Sequence, residues 1–151
     1  MGYTHYWDRP KEIDQNTFDH IRYDIAKVLP RISNVTDRLE VRLSKNLITL
    51  NGIEDAGHQT FVLDRVNSGW NFCKTARQPY DIAVCCALII ASLHCKDFTV
   101  SSDGDFEDEG WYIAREITPF IVSPGNKKMM DVDFIGPAGE EKLTFFDPKG
   151  E

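Results

Sequence analysis

The residues best suited to ligand chemistry lie in the segment 72–81, Phe-Cys-Lys-Thr-Ala-Arg-Gln-Pro-Tyr-Asp. Lys74, Thr75 and Arg77 supply a point charge, a hydroxyl group and a bidentate guanidinium fork, which are the groups that hold a phosphate. They come just before a predicted helix, whose N-terminus offers unpaired N–H groups and a positive dipole end. The segment therefore predicts an anion site, with Tyr80 beside it.

Other interpretations of this segment stay open. The glycines of a P-loop are missing, so the pattern is not that motif. Arg77 could pair with Asp81 on a solvated surface, where the cations would hold no ligand. Cys73 and Arg77 lie too close in sequence for the loop with which a cysteine phosphatase wraps its phosphate. The two nearby cations could still lower the pKa of Cys73, which leaves a catalytic thiol as an alternative.

Two further segments offer side chains to a ligand. The opening Gly-Tyr-Thr-His-Tyr-Trp, residues 2–7, predicts a strand in which Tyr3, His5 and Trp7 share one face. Such an aromatic wall could stack a base or ribose, or it could be ordinary core. His58 follows a loop with two glycines, where it is either a polar contact or base for a ligand or an exposed loop histidine.

The sequence predicts no catalytic set and no metal or cofactor site. Asp103, Asp105 and Glu107 alternate as in the opening of a calcium loop. However, Asp108 stands where that loop needs glycine, and Ala114 stands where it needs a bidentate acid. A solvated acidic loop is therefore expected over residues 102–110, with a divalent cation as the alternative.

The cysteines indicate a reducing compartment. Their spacing fits no paired zinc pattern. We therefore expect buried free thiols and a location in the cytoplasm. The four are Cys73, Cys85, Cys86 and Cys95.

The elements that must position these residues mix strands and helices without strict β-α-β alternation. The run Ile82 to Leu93 is apolar on all sides, which is typical of a buried central helix, here residues 79–95. Apolar residues at helical spacing predict an amphipathic helix over residues 16–29, which Asn16 caps and Pro30 ends or kinks. The fold class is therefore α+β, a mainly antiparallel sheet packed against the two helices.

Shorter patterns complete this prediction. Turn residues 67–69 are expected to join two of the strands. A short helix is predicted over residues 111–117. The predicted strands are residues 40–43 with 47–50 as a hairpin, 60–63, 70–73, 98–101, and 132–135 paired with 143–146. The predicted core residues are Phe72, Ile82, Val84, Cys85, Leu88, Ile89 and Leu93.

Composition indicates one globular domain over residues 1–151, because 42% hydrophobic and 27% charged residues are ordinary for such proteins. The apolar runs are too short to span a membrane. Residues 97–151 hold 13 acidic and 5 basic side chains. This acidic excess argues against a nucleic acid polymer as partner, since phosphate neutralisation needs a basic face. It could instead dock on a basic host protein.

Three motifs together resemble an uncharacterised family of small phage and prophage proteins. They are the opening Gly-Tyr-Thr-His-Tyr-Trp, then Phe-Cys-Lys-Thr-Ala-Arg-x-Pro-Tyr-Asp, and Ser-Ser-Asp-Gly-Asp. The resemblance covers residues 1–111. Gln59 departs from it, because the family usually has an acid after the histidine. Residues 112–151 look like a C-terminal extension beyond the shared part.

The resemblance implies a phage setting, in which small proteins without an enzyme signature are often counter-defence factors. Some of these factors sequester the nucleotide-derived signals of bacterial immunity, which takes a pocket and phosphate-holding cations but no catalytic set. Two alternatives are a protein-binding inhibitor that uses the acidic last third, and a small hydrolase that uses His58, Cys73 or the acidic loop. The leading expectation is a non-catalytic protein of the host cytoplasm that binds a phosphorylated, nucleotide-like molecule through Tyr3, His5, Trp7, His58, Lys74, Thr75, Arg77 and Tyr80.

Overall fold

The computed structural model describes residues 3–32, 38–69, 71–105 and 108–118, and the backbone of the strands at 130–136 and 139–145. In these residues the helices are α1 (Gln15–Ile32), α2 (Asp81–His94) and α3 (Glu109–Ile117). The strands are β1 (Thr4–Asp8), β2 (Leu39–Leu43), β3 (Leu47–Gly52), β4 (Phe61–Asp64), β5 (Phe72–Lys74), β6 (Thr99–Ser102), β7 (Met130–Gly136) and β8 (Gly139–Phe145). The predicted α+β class is confirmed.

The described strands form two sheets rather than one. The larger has the order β5-β1-β6-β7-β8, and the smaller has the order β2-β3-β4. Pairing is antiparallel except between β6 and β7, which run parallel. The first strand of the chain is therefore an inner strand of the larger sheet. Its register sets His5 opposite Cys73 on β5 and opposite Ser102 on β6.

Helix α2 is the buried centre of the fold, as the apolar run predicts. Every residue from Asp81 to Ala91 is buried, and α1, α3 and strands of the larger sheet pack around the helix. The predicted core differs at two positions. Phe72 is 37% exposed, because alternation along β5 turns its neighbour Cys73 inward instead. Leu93 is only partly buried, since it lies near the helix end.

Helix α1 begins and ends outside its predicted bounds. Asp14, rather than Asn16, caps it: the Asp14 carboxylate accepts hydrogen bonds from the backbone N–H groups of Asn16 and Thr17, at 3.3 and 3.2 Å. Pro30 does not end the helix, which continues to Ile32. Val28 and Ile32 are both buried on one helical face, so core packing holds the last turn despite the proline.

The predicted hairpins are present, but strand order departs from chain order. Residues 40–43 and 47–50 pair within β2 and β3, and β7 pairs with β8. The turn at 67–69 does not make a hairpin, because β4 joins the smaller sheet and β5 the larger one. Trp70 and Phe146, which belong to predicted strands, lie outside the described residues. Across the described part of the chain, no helix has the length and apolar character needed to cross a membrane.

Candidate functional site

A cavity of about 270 Å³ opens between the start of α2 and the start of α3. Ligand clefts commonly measure about 300–1,000 Å³, so this cavity lies just below that range and suits a small group such as a nucleobase or a sugar phosphate. Its walls combine an aromatic ring, a guanidinium group and carboxylates. The lining residues are Tyr3, Arg77, Gln78, Pro79, Asp81, Ile82, Glu109 and Gly110.

A strained turn places Arg77 at the rim of this cavity. The φ angles of Ala76 and Arg77 are 53° and 59°, and the N–H of Gln78 donates to the C=O of Thr75 at 3.0 Å. Two successive positive φ angles are typical of a turn that favours glycine or asparagine. Residues held in such regions cost about 1–3 kcal/mol each, and they cluster at functional sites.

The Arg77 guanidinium stacks on an aromatic ring rather than extending into solvent. Its central carbon lies 3.8 Å from the centre of the Tyr3 ring, and its Nη1 lies 3.6 Å from Asp108 Oδ2. The Tyr3 hydroxyl donates to the same Asp108 oxygen at 3.2 Å. Burial, with a smaller contribution from Asp81, raises the pKa of Tyr3, so its phenol stays a neutral donor. The arginine side chain is still 61% exposed and can reach a ligand.

Behind the cavity lies a buried polar network centred on His5. His5 Nε2 lies 2.7 Å from Asp81 Oδ1, and His5 Nδ1 lies 2.7 Å from Ser102 Oγ. The Ser102 Oγ also accepts hydrogen bonds from the backbone N–H of Gly104 at 3.0 Å and from the Trp111 indole N–H at 3.2 Å. These contacts join β1, β6, α2 and α3 at one point.

Counting donors on Ser102 fixes the tautomer of His5. A hydroxyl oxygen has two lone pairs, and the N–H groups of Gly104 and Trp111 occupy both. The Ser102 proton must therefore be donated to His5 Nδ1. The ring proton then lies on Nε2, from which it is donated to Asp81.

Counting the hydrogen-bond donors to Asp81 in the same way shows that one of its two oxygens has no strong donor. Oδ1 accepts hydrogen bonds from His5 Nε2 and, at 2.5 Å, from the Thr75 hydroxyl. Oδ2 has the Cys85 thiol at 3.7 Å, a weak donor. A Cβ at the cavity-lining Gly110 would lie only 2.2 Å from Oδ2, so the absence of a side chain there lets α3 pack closely against this carboxylate.

His5, Asp81 and Cys85 offer a nitrogen, an oxygen and a sulfur within 4.8 Å of one another, which are the ligand types of zinc. The hydrogen bonds of the network oppose ligation, because His5 Nε2 carries its proton. Burial raises the pKa of the Cys85 thiol well above its usual value, so the sulfur is protonated as well. A metal would have to displace both protons and reverse the Ser102–His5 hydrogen bond.

Ser102, His5 and Asp81 also match the residue types of a nucleophilic triad. However, the exposure of the serine and the carboxylate is the reverse of that in a hydrolase active site. Ser102 is buried, both lone pairs of its oxygen are engaged, and it does not line the cavity. The carboxylate faces the cavity instead, so the arrangement presents a hydrogen-bond acceptor and not a nucleophile.

The structure divides the residues of the predicted anion site. Tyr3 and Arg77 meet at the cavity. His5 and Thr75 are fully buried behind it, where both donate to Asp81. The Thr75 hydroxyl is thus occupied by a carboxylate and does not face a phosphate.

The other predicted residues do not line the cavity. Trp7 is buried against Phe61, with ring centres 5.1 Å apart. His58 is exposed, and its Nδ1 lies 2.8 Å from the C=O of Lys74. Lys74 itself is exposed on β5. Tyr80 is buried, and its hydroxyl donates to the C=O of Gln59, which is also the acceptor for the Cys73 thiol at 3.4 Å.

Cys73 lacks the property that a nucleophile needs. Burial raises its pKa to about 12, so the group is a thiol near neutral pH. All four cysteines are free and buried. The two predicted cations beside Cys73 do not change this, because Lys74 and Arg77 both project to the surface.

Sequence reasoning missed the central role of Asp81 and the contribution of Gly110. Sequence analysis considered Asp81 only as a possible surface partner of Arg77, but Asp81 is buried and Arg77 contacts Asp108 instead. A stronger signal was present, because Asp81 opens a helix that is otherwise apolar on all sides, and a carboxylate there must be buried with partners. Gly110 gave no signal, since its role depends on the approach of α3 to α2.

Comparison with known proteins adds no relative. The chain matches no protein-family model, and no curated protein or solved structure matches it. The functional conclusion therefore depends on the cavity and on the network behind it.

Proposed function

We propose that this chain is a non-catalytic binding protein for a small phosphorylated, nucleotide-like molecule. The observation that carries the proposal is the position of Arg77, stacked on Tyr3 at the rim of a cavity that Asp81 also lines. A guanidinium fork matches phosphate geometry. Aromatic and guanidinium faces also stack on nucleobases.

The charges of the cavity residues predict the orientation of the bound ligand. Arg77 is the cationic side chain among the described lining residues, whereas Asp81 and Glu109 are acidic. A phosphate would be repelled by the carboxylates and attracted by the guanidinium. We therefore place the phosphate beside Arg77, where it competes with the 3.6 Å Arg77–Asp108 contact, and the nucleobase on the side of Asp81.

The family resemblance suggests the biological setting. In the cytoplasm of an infected bacterium, such a protein would sequester a nucleotide-derived immune signal and act as a counter-defence factor. Sequestration takes binding alone, which agrees with a network that presents acceptors and no nucleophile. The hydrolase alternative draws no support from Cys73, whose thiol is protonated.

Calorimetric titration with mononucleotides, dinucleotides and cyclic nucleotides tests the proposal. Arg77→Ala is expected to weaken binding about tenfold to a hundredfold, because a hydrogen bond to a charged group contributes about 1.5–3 kcal/mol. Arg77→Lys should also lose affinity, since a point charge cannot replace the fork. Lys74→Ala is the matched control, because Lys74 is an exposed cation outside the cavity lining, and it should change affinity less than about twofold.

Two results would overturn the proposal: no binding of any nucleotide by the wild-type chain, or equal binding by Arg77→Ala. The absorbance ratio of purified protein at 260 and 280 nm gives a first check. The three tryptophans and five tyrosines fix the expected 280 nm signal, so a retained nucleotide adds absorbance at 260 nm.

A second candidate function rests on the acidic excess of residues 97–151. Asp97, Asp103 and Glu116 are exposed there and could attract a basic host protein. Such attraction is screened beyond about 8 Å at physiological salt. Pull-downs should lose the partner as salt rises, and Asp97→Lys with Glu116→Lys should weaken recovery at low salt. Recovery that depends neither on salt nor on these charges would rule this candidate out.

A further inference from the structure

We infer that Asp81 selects the base of the bound nucleotide by accepting a hydrogen bond from its exocyclic amino group. The site would then prefer adenine or cytosine, which carry that amino group, to hypoxanthine or uracil, which carry a carbonyl oxygen there. This inference rests on the proposed function and names the chemical class of its ligand.

One oxygen of Asp81, a residue of the cavity wall, keeps an acceptor position for a ligand. An ionised carboxylate only accepts hydrogen bonds. His5 and Thr75 use both lone pairs of Oδ1, so Oδ2 is the oxygen left for a ligand. It lies beside Gly110 in the cavity wall.

This acceptor cannot turn away from its position. Rotating the Asp81 carboxylate would break two hydrogen bonds, from His5 at 2.7 Å and from Thr75 at 2.5 Å. His5 is in turn held by Ser102, whose oxygen is held by the N–H groups of Gly104 and Trp111. Each of these groups is buried, so the orientation of Oδ2 is fixed before a ligand arrives.

A fixed acceptor at Oδ2 distinguishes bases that carry an amino group from bases that carry a carbonyl oxygen in its place. An amino group pairs with Oδ2, whereas a carbonyl oxygen of a base bound in the same pose would set two acceptors against each other. A site built to hydrogen-bond a ligand group strongly rejects the analogue that lacks it. The cost of an unpaired buried polar group corresponds to about a tenfold to hundredfold difference in affinity.

The test is calorimetric titration of matched pairs: adenosine with inosine monophosphate, and cytidine with uridine monophosphate. The wild-type chain should bind the amino member of at least one pair about tenfold to a hundredfold more tightly. In Asp81→Asn the amide oxygen can still accept from His5 and Thr75, while the amide N–H₂ faces the cavity as a donor. The preference should therefore invert toward the oxo member.

The outcomes separate this inference from the proposed function. Equal affinity within both pairs, or an unchanged preference in a folded Asp81→Asn, would overturn the role of Asp81 while Arg77-dependent binding still stood. Binding of none of these four nucleotides would overturn the inference, and binding of no mononucleotide, dinucleotide or cyclic nucleotide would overturn both. If Asp81→Asn does not fold by circular dichroism, the wild-type comparison decides alone, because equal affinities within both pairs contradict the inference.

Discussion

Ser102 determines the hydrogen-bond directions of the site, although it does not line the cavity. It accepts from Gly104 and Trp111, donates to His5, and so obliges His5 to donate to Asp81. The hydrogen-bonding positions of Ser102 and His5 are all occupied, which is the condition under which a buried polar network stabilises one arrangement.

Removing that hydroxyl should therefore destabilise the fold. Ser102→Ala removes the acceptor of the Gly104 and Trp111 N–H groups and the donor to His5 Nδ1, all in buried surroundings. A loss of about 2–4 kcal/mol in the free energy of unfolding is expected, from about 1–3 kcal/mol per unsatisfied buried group with partial relaxation. Urea melts measure this loss.

Ser101→Ala, on the less buried face of the same strand, is the matched control and should change stability by less than about 0.5 kcal/mol. A loss in Ser102→Ala no larger than in the control would show that the network is not needed for stability.

Sequence alone could identify some residues of the site but not their partners. The cation and hydroxyl pattern of the segment 72–81 singled out Arg77, and the aromatic opening singled out Tyr3. Whether Thr75 faces a phosphate or a carboxylate depends on where the chain turns after β5. The positive φ angles of Ala76 and Arg77 make that turn, and neither residue type predicts them.

At the scale of elements, the turn from β5 to α2 is where backbone strain and the cavity coincide. It reverses the chain within four residues, directs Thr75 inward and leaves Arg77 at the rim. The elements on each side hold Ala76 and Arg77 in this strained conformation, since β5 is paired with β1 and α2 is buried.

Ala76→Gly should consequently stabilise the protein by roughly 0.5–1 kcal/mol. The left-handed conformation costs an L-residue about 1–2 kcal/mol, and the added freedom of glycine in the unfolded chain offsets about 0.4–1 kcal/mol of the relief. Thermal and urea unfolding measure the change. The control is the variant Ala83→Gly within α2, whose free energy of unfolding should be about 1 kcal/mol lower than that of the wild-type chain. Destabilisation in both variants would mean that position 76 is not strained.

Predictability also differed among the elements. Helix α2 was predictable because one unbroken apolar run has a single compatible environment, the centre of the fold. The length of α1 was not, because the rule that proline ends a helix gave way to the packing of Val28 and Ile32. Near the end of this helix, the burial of apolar side chains outweighs the low helix propensity of proline.

At the scale of the whole molecule, the site depends on strand order rather than on any one segment. The first strand lies between β5 and β6, and this brings residues 3 and 5 to the start of α2 and to the loop before α3. Periodicity in a sequence identifies strands but carries no information about which distant strand pairs with which. The allocation of β4 and β5 to separate sheets was missed for this reason.

The measurement that tests the central claim most directly is chemical-shift mapping of the isotope-labelled chain with the nucleotide that binds most tightly. We expect saturable shifts at the backbone amides of Arg77, Gln78 and Gly110 and at the Trp111 indole N–H, because all four line or adjoin the cavity. Arg77→Ala should weaken the whole set together. Shifts confined to the smaller sheet, around the groove lined by Glu40, Arg42 and Thr49, or no saturable shift at all, would contradict the account.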